Sequence, residues 1–124
     1  MKVAAIVQIY DRSRVERLRT SLGSATIVHE LIDLFISELP QQVAAVCEAA
    51  FNGDAAGLAF AAHRLHSGSG NFGTRRLDAV CAQLEDLGRA GKLVEAAAML
   101  QRLRDEADLV IAALRAERLG DRNT

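Results

Sequence analysis

Two histidines lie three residues apart in a segment of small and apolar residues. The segment AAHRLHSGSGNFGTRRL spans residues 61–77 and contains His63 and His66. A neutral imidazole nitrogen can attack a phosphorus centre, and with an unperturbed pKa of about 6.5 a good fraction of histidine is neutral near pH 7. Such an acceptor needs in-line access and nearby positive charge or donors more than it needs a general base. Phosphoryl chemistry at one imidazole is therefore one interpretation of the segment.

The helical period of this segment indicates which histidine has open access. The predicted inward face comprises Leu58, Ala61, Ala62, Leu65 and Ser69. His63 falls on a different face, with His66 beside it one turn along, because residues three or four apart are neighbours on a helix surface. We therefore expect His63 to be exposed or half exposed.

Glycines and arginines surround the two histidines. Ser67 and Gly68 follow directly, and Gly70 comes two residues later. A glycine in a helix interior costs roughly 1 kcal/mol relative to alanine, so two glycines near one helix end indicate that something bulky approaches this surface. The residues that could supply charge or hydrogen bonds to an incoming group are His66, Arg64, Arg75 and Arg76.

Two other interpretations remain open from the residues alone. Both histidines can be surface residues of a helix-bundle interaction module. Two histidines at i and i+3 can also share a metal ion, but the third ligand is not obvious, because Cys81 falls on a predicted core face. The Glu-x-x-His pairs of di-iron bundle proteins are absent from the sequence. We therefore expect no metal ion of the protein's own.

The composition favours one helical domain over residues 1–124. Half of the residues are hydrophobic and tryptophan is absent, and the many Ala, Leu and Arg residues favour helix over strand. With a formal net charge of −1, the chain lacks the excess of positive charge that attracts a nucleic-acid backbone. No segment reaches the roughly 20 apolar residues of a membrane span, and the N-terminal stretch is too short for a signal peptide. We expect a cytoplasmic protein that binds neither nucleic acid nor a membrane.

Capping residues mark the first two predicted helices. Asp11 can cap a short helix that stops at Gly23, and Ser24 can cap the next one. Because proline lacks the amide hydrogen, a kink or brief break is expected at Pro40, after which the pattern continues to Phe51. The apolar stripe assigned to the part before the proline is Ile27, Leu31, Leu34 and Phe35.

Three further helices follow the turn at residues 52–54. Asp54 can cap the helix with the two histidines, which ends in the corner at residues 70–73, and Thr74 can cap the helix after it. One long last helix is predicted from Leu93 to Leu114. Short turns make neighbouring helices antiparallel, so the prediction is an all-α, antiparallel, up-and-down four-helix bundle with the short first helix across one end.

This combination resembles the histidine-containing phosphotransfer (HPt) domain family. An exposed histidine is followed there by x-Leu-Lys-small-small-Ser, then by a glycine at the helix corner and a helix with Leu-x-x-x-Cys-x-x-Leu-Glu. Here the first run reads HRLHSGS from His63, the corner glycine is Gly73, and the last run reads LDAVCAQLE over residues 77–85. Together with the upstream helix, proline and turn, the likeness covers about residues 11–115.

The resemblance implies a role in a two-component phosphorelay. His63 would accept a phosphoryl group from the aspartate of one receiver domain and pass it to another, without catalytic activity or a cofactor of its own. The receivers, in response regulators or hybrid histidine kinases, would bring the magnesium ion, and the carrier would be a monomer. The residues assigned to supporting or binding roles are His66, Phe60, Arg64, Ser67, Gly68, Arg75 and Arg76.

One position departs from the family pattern. His66 stands where the family usually has lysine, and it is cationic only part of the time near pH 7, whereas lysine is always charged. Either transfer is somewhat pH-dependent, or Arg64, Arg75 or Arg76 takes over the charge, or the domain is a weakened member. The competing hypothesis is a non-phosphorylated helical docking module that regulates a receiver or kinase by binding.

Overall fold

A computed structural model describes residues 9–69 and 72–122 of the chain, and this part contains helices and no strand. Within it, none of the helices combines the length and the hydropathy that a membrane crossing requires. In chain order the helices are α1 (Arg12–Leu22), α2 (Ala25–Phe51), α3 (Ala55–Ser69), α4 (Arg75–Arg89), α5 (Leu93–Ala98) and α6 (Leu100–Arg122).

Four long helices form the bundle. α3 packs chiefly against α2 and α4, and α6 packs against the same two helices, so α3 and α6 lie diagonally across the bundle. The short α1 lies against α2, and the short α5 contacts α4 and α2. The predicted all-α four-helix bundle with a short extra N-terminal helix is confirmed.

The core is built from the apolar faces of the four long helices. Its largest fully buried side chains include Leu58, Leu65, Leu77, Leu84, Leu103 and Leu114. Burying a leucine side chain contributes about 1.5–3 kcal/mol relative to leaving it exposed, so these faces fix the rotation of each helix about its axis. Phe72, from the corner between α3 and α4, is also buried, and its ring centroid lies 5.3 Å from that of Phe35.

The predicted caps mostly occur where the sequence places them. Asp11 accepts the backbone N–H groups of Ser13 and Arg14, and Gly23 ends α1 with a φ of 67°. Ser24 accepts the Ile27 amide, and Asp54 accepts the Gly57 amide. These contacts satisfy N–H groups that have no partner inside the helix, which is why the boundaries could be predicted locally.

Thr74 is an exception among the predicted caps. It occupies the position before α4, but its side chain makes no capping hydrogen bond. The hydroxyl instead donates to Oδ1 of Asp78, at 3.2 Å, and the residue is fully buried. The boundary was therefore predicted correctly, whereas the way in which the side chain stabilises it was not.

Of the kink or brief break expected at Pro40, the break does not occur. α2 continues through this proline from Ala25 to Phe51. A proline inside a helix costs about 3 kcal/mol. The neighbouring Ile36, Leu39 and Val43 are buried on one face, while Pro40 itself is exposed. Burial on both sides of the proline therefore outweighs the local cost.

The stripe predicted for α2 is only partly correct: Phe35 is buried and Leu31 is half-buried. Ile27 and Leu34, which were predicted to face inward, are exposed, whereas Val28 and Ile32 are fully buried. The segment is apolar on two adjoining stripes, so the period alone does not choose between them. The consequence is an apolar strip of α2 that is left on the surface.

The predicted last helix is divided in two at Met99. The Met99 amide donates to the Ala96 carbonyl, three residues earlier, which is tighter than the spacing of an α-helix. Ala96 is buried in α5, and the apolar period continues across the break into α6. Periodicity therefore predicts one helix where the chain makes two.

A buried carboxylate joins α1 to α6. Glu117 of α6, whose side chain is 2% exposed, accepts from the Tyr10 hydroxyl, from Nε of Arg12 at 3.1 Å and from Nη2 of Arg19 at 3.0 Å. Burial alone would raise the pKa of Glu117, but the Tyr10 hydroxyl and the two guanidinium groups lower it below its ordinary value of 4.5. The charged form is therefore favoured by folding.

We predict that this carboxylate makes stability depend on pH. Because the pKa of Glu117 is lower in the folded state, its contribution is complete above pH 5 and is lost as the pH falls through the folded pKa. The Glu117→Gln variant should lose about 1–3 kcal/mol of unfolding free energy at pH 7, and less at pH 3. Urea denaturation at both pH values measures this, with Glu48→Gln, at an exposed position, as the control. A loss of equal size at both pH values would contradict the prediction.

Candidate functional site

His63 lies on the exposed side of α3. Leu58, Ala62 and Leu65 of the same helix are fully buried and hold its inner face against the core. The His63 side chain is 60% exposed. The expectation that this histidine is accessible is therefore confirmed.

A buried glutamate on the neighbouring helix contacts the His63 ring. Oε2 of Glu85, whose side chain is only 9% exposed, lies 3.1 Å from Nδ1 of His63. A carboxylate can only accept, so Nδ1 carries the hydrogen and donates it to Glu85. In the neutral ring, the lone pair is then on Nε2, the nitrogen farther from Glu85. The pair therefore selects one tautomer and one nucleophilic nitrogen.

Close packing of α3 on α4 brings this pair together. Gly88, one turn after Glu85, is buried, and a Cβ there would lie 2.7 Å from the Ala59 amide nitrogen and 3.0 Å from the Ala55 carbonyl oxygen. These neighbours are backbone atoms of α3, which cannot rotate away as a flexible side chain can. Because Gly88 has no side chain, α3 and α4 can pack closely enough for Glu85 to reach His63.

A cationic side chain completes this group. The guanidinium of Arg89 on α4 forms an ion pair with Oε2 of Glu85, the same oxygen that His63 contacts. The Arg89 side chain is 64% exposed. A nucleophile, a carboxylate and a permanent cation are thus connected through one oxygen atom at the surface of the bundle.

A groove lies on the face formed by α2 and α3, and Phe60 and Arg64 contribute to it from α3. Phe60 on this face is 67% exposed. The groove has a volume of about 260 Å³ and is lined by Glu38, Gln41, Gln42, Ala45, Phe60, Ala61 and Arg64. A second depression shares Glu38 and Gln42 with it and extends to Leu31, Leu34, Phe35, Gly68 and Phe72. We call the exposed residues of these two depressions the α2–α3 face.

The other residues selected from the sequence occupy different environments. Arg64, Ser67 and Gly68 are exposed on α3, and His66 is half-buried there. Arg76 binds Oε2 of Glu106 on α6, at 2.8 Å. It precedes Glu85 by nine residues, or about 13 Å along the helix. The structure thus places Arg75 and Arg76 toward the other end of α4 from His63, and their role in supplying charge there stays a prediction.

The described part of the structure places no third metal ligand beside the two histidines. Among the residues that the structure describes, no group of three His, Cys, Asp or Glu side chains is placed to hold a metal ion. Cys81 is fully buried, and burial, together with the nearby charges of Asp78 and Glu85, raises the pKa of its thiol to about 12. A metal ligand must be the thiolate, which Cys81 is not near pH 7.

Glu85 and Arg89 were not recognised as site residues from the sequence. In the sequence, Glu85 is the last residue of the LDAVCAQLE run. One signal was present: Glu85 follows Cys81 by four residues and therefore lies beside the inward stripe of α4, where a carboxylate requires a partner. No comparable signal marks Arg89, because an arginine near a helix end is ordinary at the surface.

Comparison with known proteins agrees with this arrangement. A family model described as Hpt domain matches residues 30–116, which is more than half of the chain. The chain therefore belongs to the Hpt domain family, whose members are phosphocarrier modules that interact with receiver domains of response regulators and kinases.

A solved structure extends the similarity beyond the matched segment. The histidine-containing phosphotransfer protein B (HptB) from Pseudomonas aeruginosa PAO1 is 25% identical in sequence, with a TM-score of 0.84, over 92% of this chain and 97% of that chain. A search of curated proteins found no match. The likeness therefore includes α1 as well as the four helices of the bundle.

Proposed function

We propose that His63 is the phospho-acceptor of a two-component phosphorelay, taking a phosphoryl group from the aspartate of one receiver domain and giving it to another. The observation that carries this proposal is the exposed His63 ring whose Nδ1 donates to the buried Glu85. An exposed histidine alone would be ordinary. An exposed histidine held in one tautomer by a buried carboxylate is suited to nucleophilic attack.

The proposed transfer needs no other group of this chain to donate or remove a proton. The lone pair of Nε2 forms a bond to phosphorus while the bond between phosphorus and the aspartate oxygen breaks. The electron pair of that bond leaves with the aspartate carboxylate. The Nδ1 proton stays on the ring, which becomes positively charged, and Glu85 stabilises this charge. Return of the phosphoryl group to a second aspartate reverses these changes.

The partner would dock on the α2–α3 face, to which Phe60 and Arg64 contribute from the same helix as His63. This face carries two exposed apolar side chains, Phe60 of α3 and Leu34 of α2. Gly68 borders it, and a Cβ there would meet open space, so packing within the chain does not require a glycine at that position. The absence of a side chain at Gly68 instead leaves room for the approach of a receiver domain, which would supply the magnesium ion. The carrier would act as a monomer in the cytoplasm.

Phosphoryl transfer from a purified, phosphorylated receiver domain tests the proposal. Label should move to the protein, resist alkali, be lost in acid and then pass to a second receiver. Phosphohistidine has this stability, whereas phosphoserine does not. If the protein binds several receivers but accepts label from none of them, the competing hypothesis of a non-phosphorylated docking module is correct instead.

We predict that Phe60 contributes to docking and not to chemistry. Truncating an aromatic side chain at the centre of an interface commonly costs about 2 kcal/mol, so Phe60→Ala should weaken receiver binding roughly 10- to 30-fold. Phosphorylation of His63 by phosphoramidate, a small donor that needs no docking, should be unchanged. Phe51→Ala, which removes an exposed phenylalanine at the end of α2, is the control. Equal loss of binding in both variants would contradict the assignment.

We also predict that Glu85 sets the reactivity of His63. Glu85→Ala removes the acceptor that orients the ring, and a misplaced nucleophile commonly loses about 10- to 100-fold in rate. Glu85→Gln keeps an acceptor without the charge and should lose less. The rate of transfer and the ¹⁵N shifts of the ring measure the two effects, with Gln83→Ala, at an exposed position on the same helix, as the control. A normal rate in Glu85→Ala would exclude the role.

A further inference from the structure

The strongest feature that the proposed function leaves unused is Arg89. Its guanidinium and the His63 imidazole contact the same oxygen of Glu85, with Nδ1 of His63 at 3.1 Å. Each group is therefore one hydrogen bond from a shared atom. The two side chains come from different helices, so this proximity results from the packing of α3 on α4.

Phosphorylation of His63 would change the balance of charge at this position. A phosphoryl group on a side chain carries about −1.5 to −2 charge near pH 7. It would be bonded to Nε2, across the imidazole ring from Glu85, whose carboxylate would repel it. A nearby permanent cation would offset the repulsion, and arginine suits this task because its planar guanidinium can donate two parallel hydrogen bonds to phosphoryl oxygens.

Arg89 meets the steric requirement for this contact. Its side chain is 64% exposed, so the guanidinium can rotate from Glu85 toward the ring without displacing a packed side chain. The other cations selected from the sequence are placed less favourably. Arg76 is bound to Glu106, Arg64 lines the groove of the α2–α3 face, and His66 is half-buried.

We propose that Arg89 binds the phosphoryl group carried by His63 and supplies the permanent positive charge that lysine supplies at position 66 in other members of the family. The inference rests on the proposed function of His63. In the unphosphorylated protein Arg89 neutralises Glu85. In the phosphorylated protein it contacts the phosphoryl oxygens, while the positively charged ring becomes the main partner of Glu85.

The test compares wild type, Arg89→Gln, Arg89→Lys and the control Arg115→Gln, which removes an exposed arginine from α6, on the far side of the bundle. Each protein is treated with phosphoramidate, so no receiver is needed. The ³¹P signal of phosphohistidine is then followed against pH, and its loss is followed in time. Because a cation favours the dianion, Arg89→Gln should raise the second pKa of the phosphoryl group. Hydrolysis should accelerate roughly three- to tenfold, and Arg89→Lys should restore much of both properties.

Two results would overturn the role of Arg89. In the first, the ³¹P titration and the lifetime of Arg89→Gln equal those of wild type. In the second, the ¹⁵N shifts of the unphosphorylated ring show that Arg89→Gln loses the Nδ1–H tautomer, so that Arg89 only positions Glu85. Failure of wild type to form phosphohistidine would instead refute the proposed function itself, so the two failures are distinguishable.

Discussion

His63→Gln is expected to abolish phosphoryl acceptance completely while leaving the bundle folded and able to bind a receiver. Glutamine is similar in size and its amide can still donate to Glu85, but it has no nitrogen lone pair that can attack phosphorus. The side chain is 60% exposed, so the free energy of unfolding should change by less than about 0.5 kcal/mol. Label transfer, receiver binding and urea denaturation of the same preparation separate the three properties.

His66→Gln is the matched comparison, since it removes the other histidine of the same helix. It should keep phosphoryl acceptance, with a reduced rate at most, because His66 is assigned to support. Label on His63→Gln but not on His66→Gln would reverse the assignment. Full biological function of His63→Gln would instead favour regulation by binding alone.

Gly88→Ala is expected to destabilise the protein by about 1–3 kcal/mol, even though alanine is the better helix former. The added Cβ would lie 2.7 Å from the Ala59 amide nitrogen and 3.0 Å from the Ala55 carbonyl oxygen. The two helices must separate to admit it, which also moves Glu85 away from His63. The melting temperature should fall by about 5–10 °C, and the rate of phosphoryl acceptance should fall with it.

Gly68→Ala provides a control of opposite sign. Gly68 is also a helical glycine, but a Cβ there would meet nothing within 4 Å. Its replacement should stabilise α3 by up to about 1 kcal/mol. If both variants raise the melting temperature, α3 and α4 do not pack too closely at Gly88 to admit a methyl group, and the prediction is wrong.

The helices that carry the site could be predicted because their signals are local. Asp11, Ser24 and Asp54 satisfy backbone groups within three residues of themselves, so the side chain and the helix start that it stabilises are close in the sequence. The exposed side of α3 followed from period alone, because both leucines of that helix, Leu58 and Leu65, lie on its buried face. The same method was only partly correct in α2, where two adjoining stripes are apolar and packing against the other helices chose between them.

The sequence by itself determined that the chain forms a bundle of capped helices, that His63 faces outward, and that its surroundings match the Hpt family. The tertiary structure decided the continuation of α2 through Pro40, the break at Met99, and the meeting of Glu85 and Arg89 with His63. His63 and Glu85 are 22 residues apart in the chain. Their contact depends on how closely α3 and α4 pack at Gly88. The distance between two helices results from burial in the whole bundle, and the local sequence of either helix does not determine it.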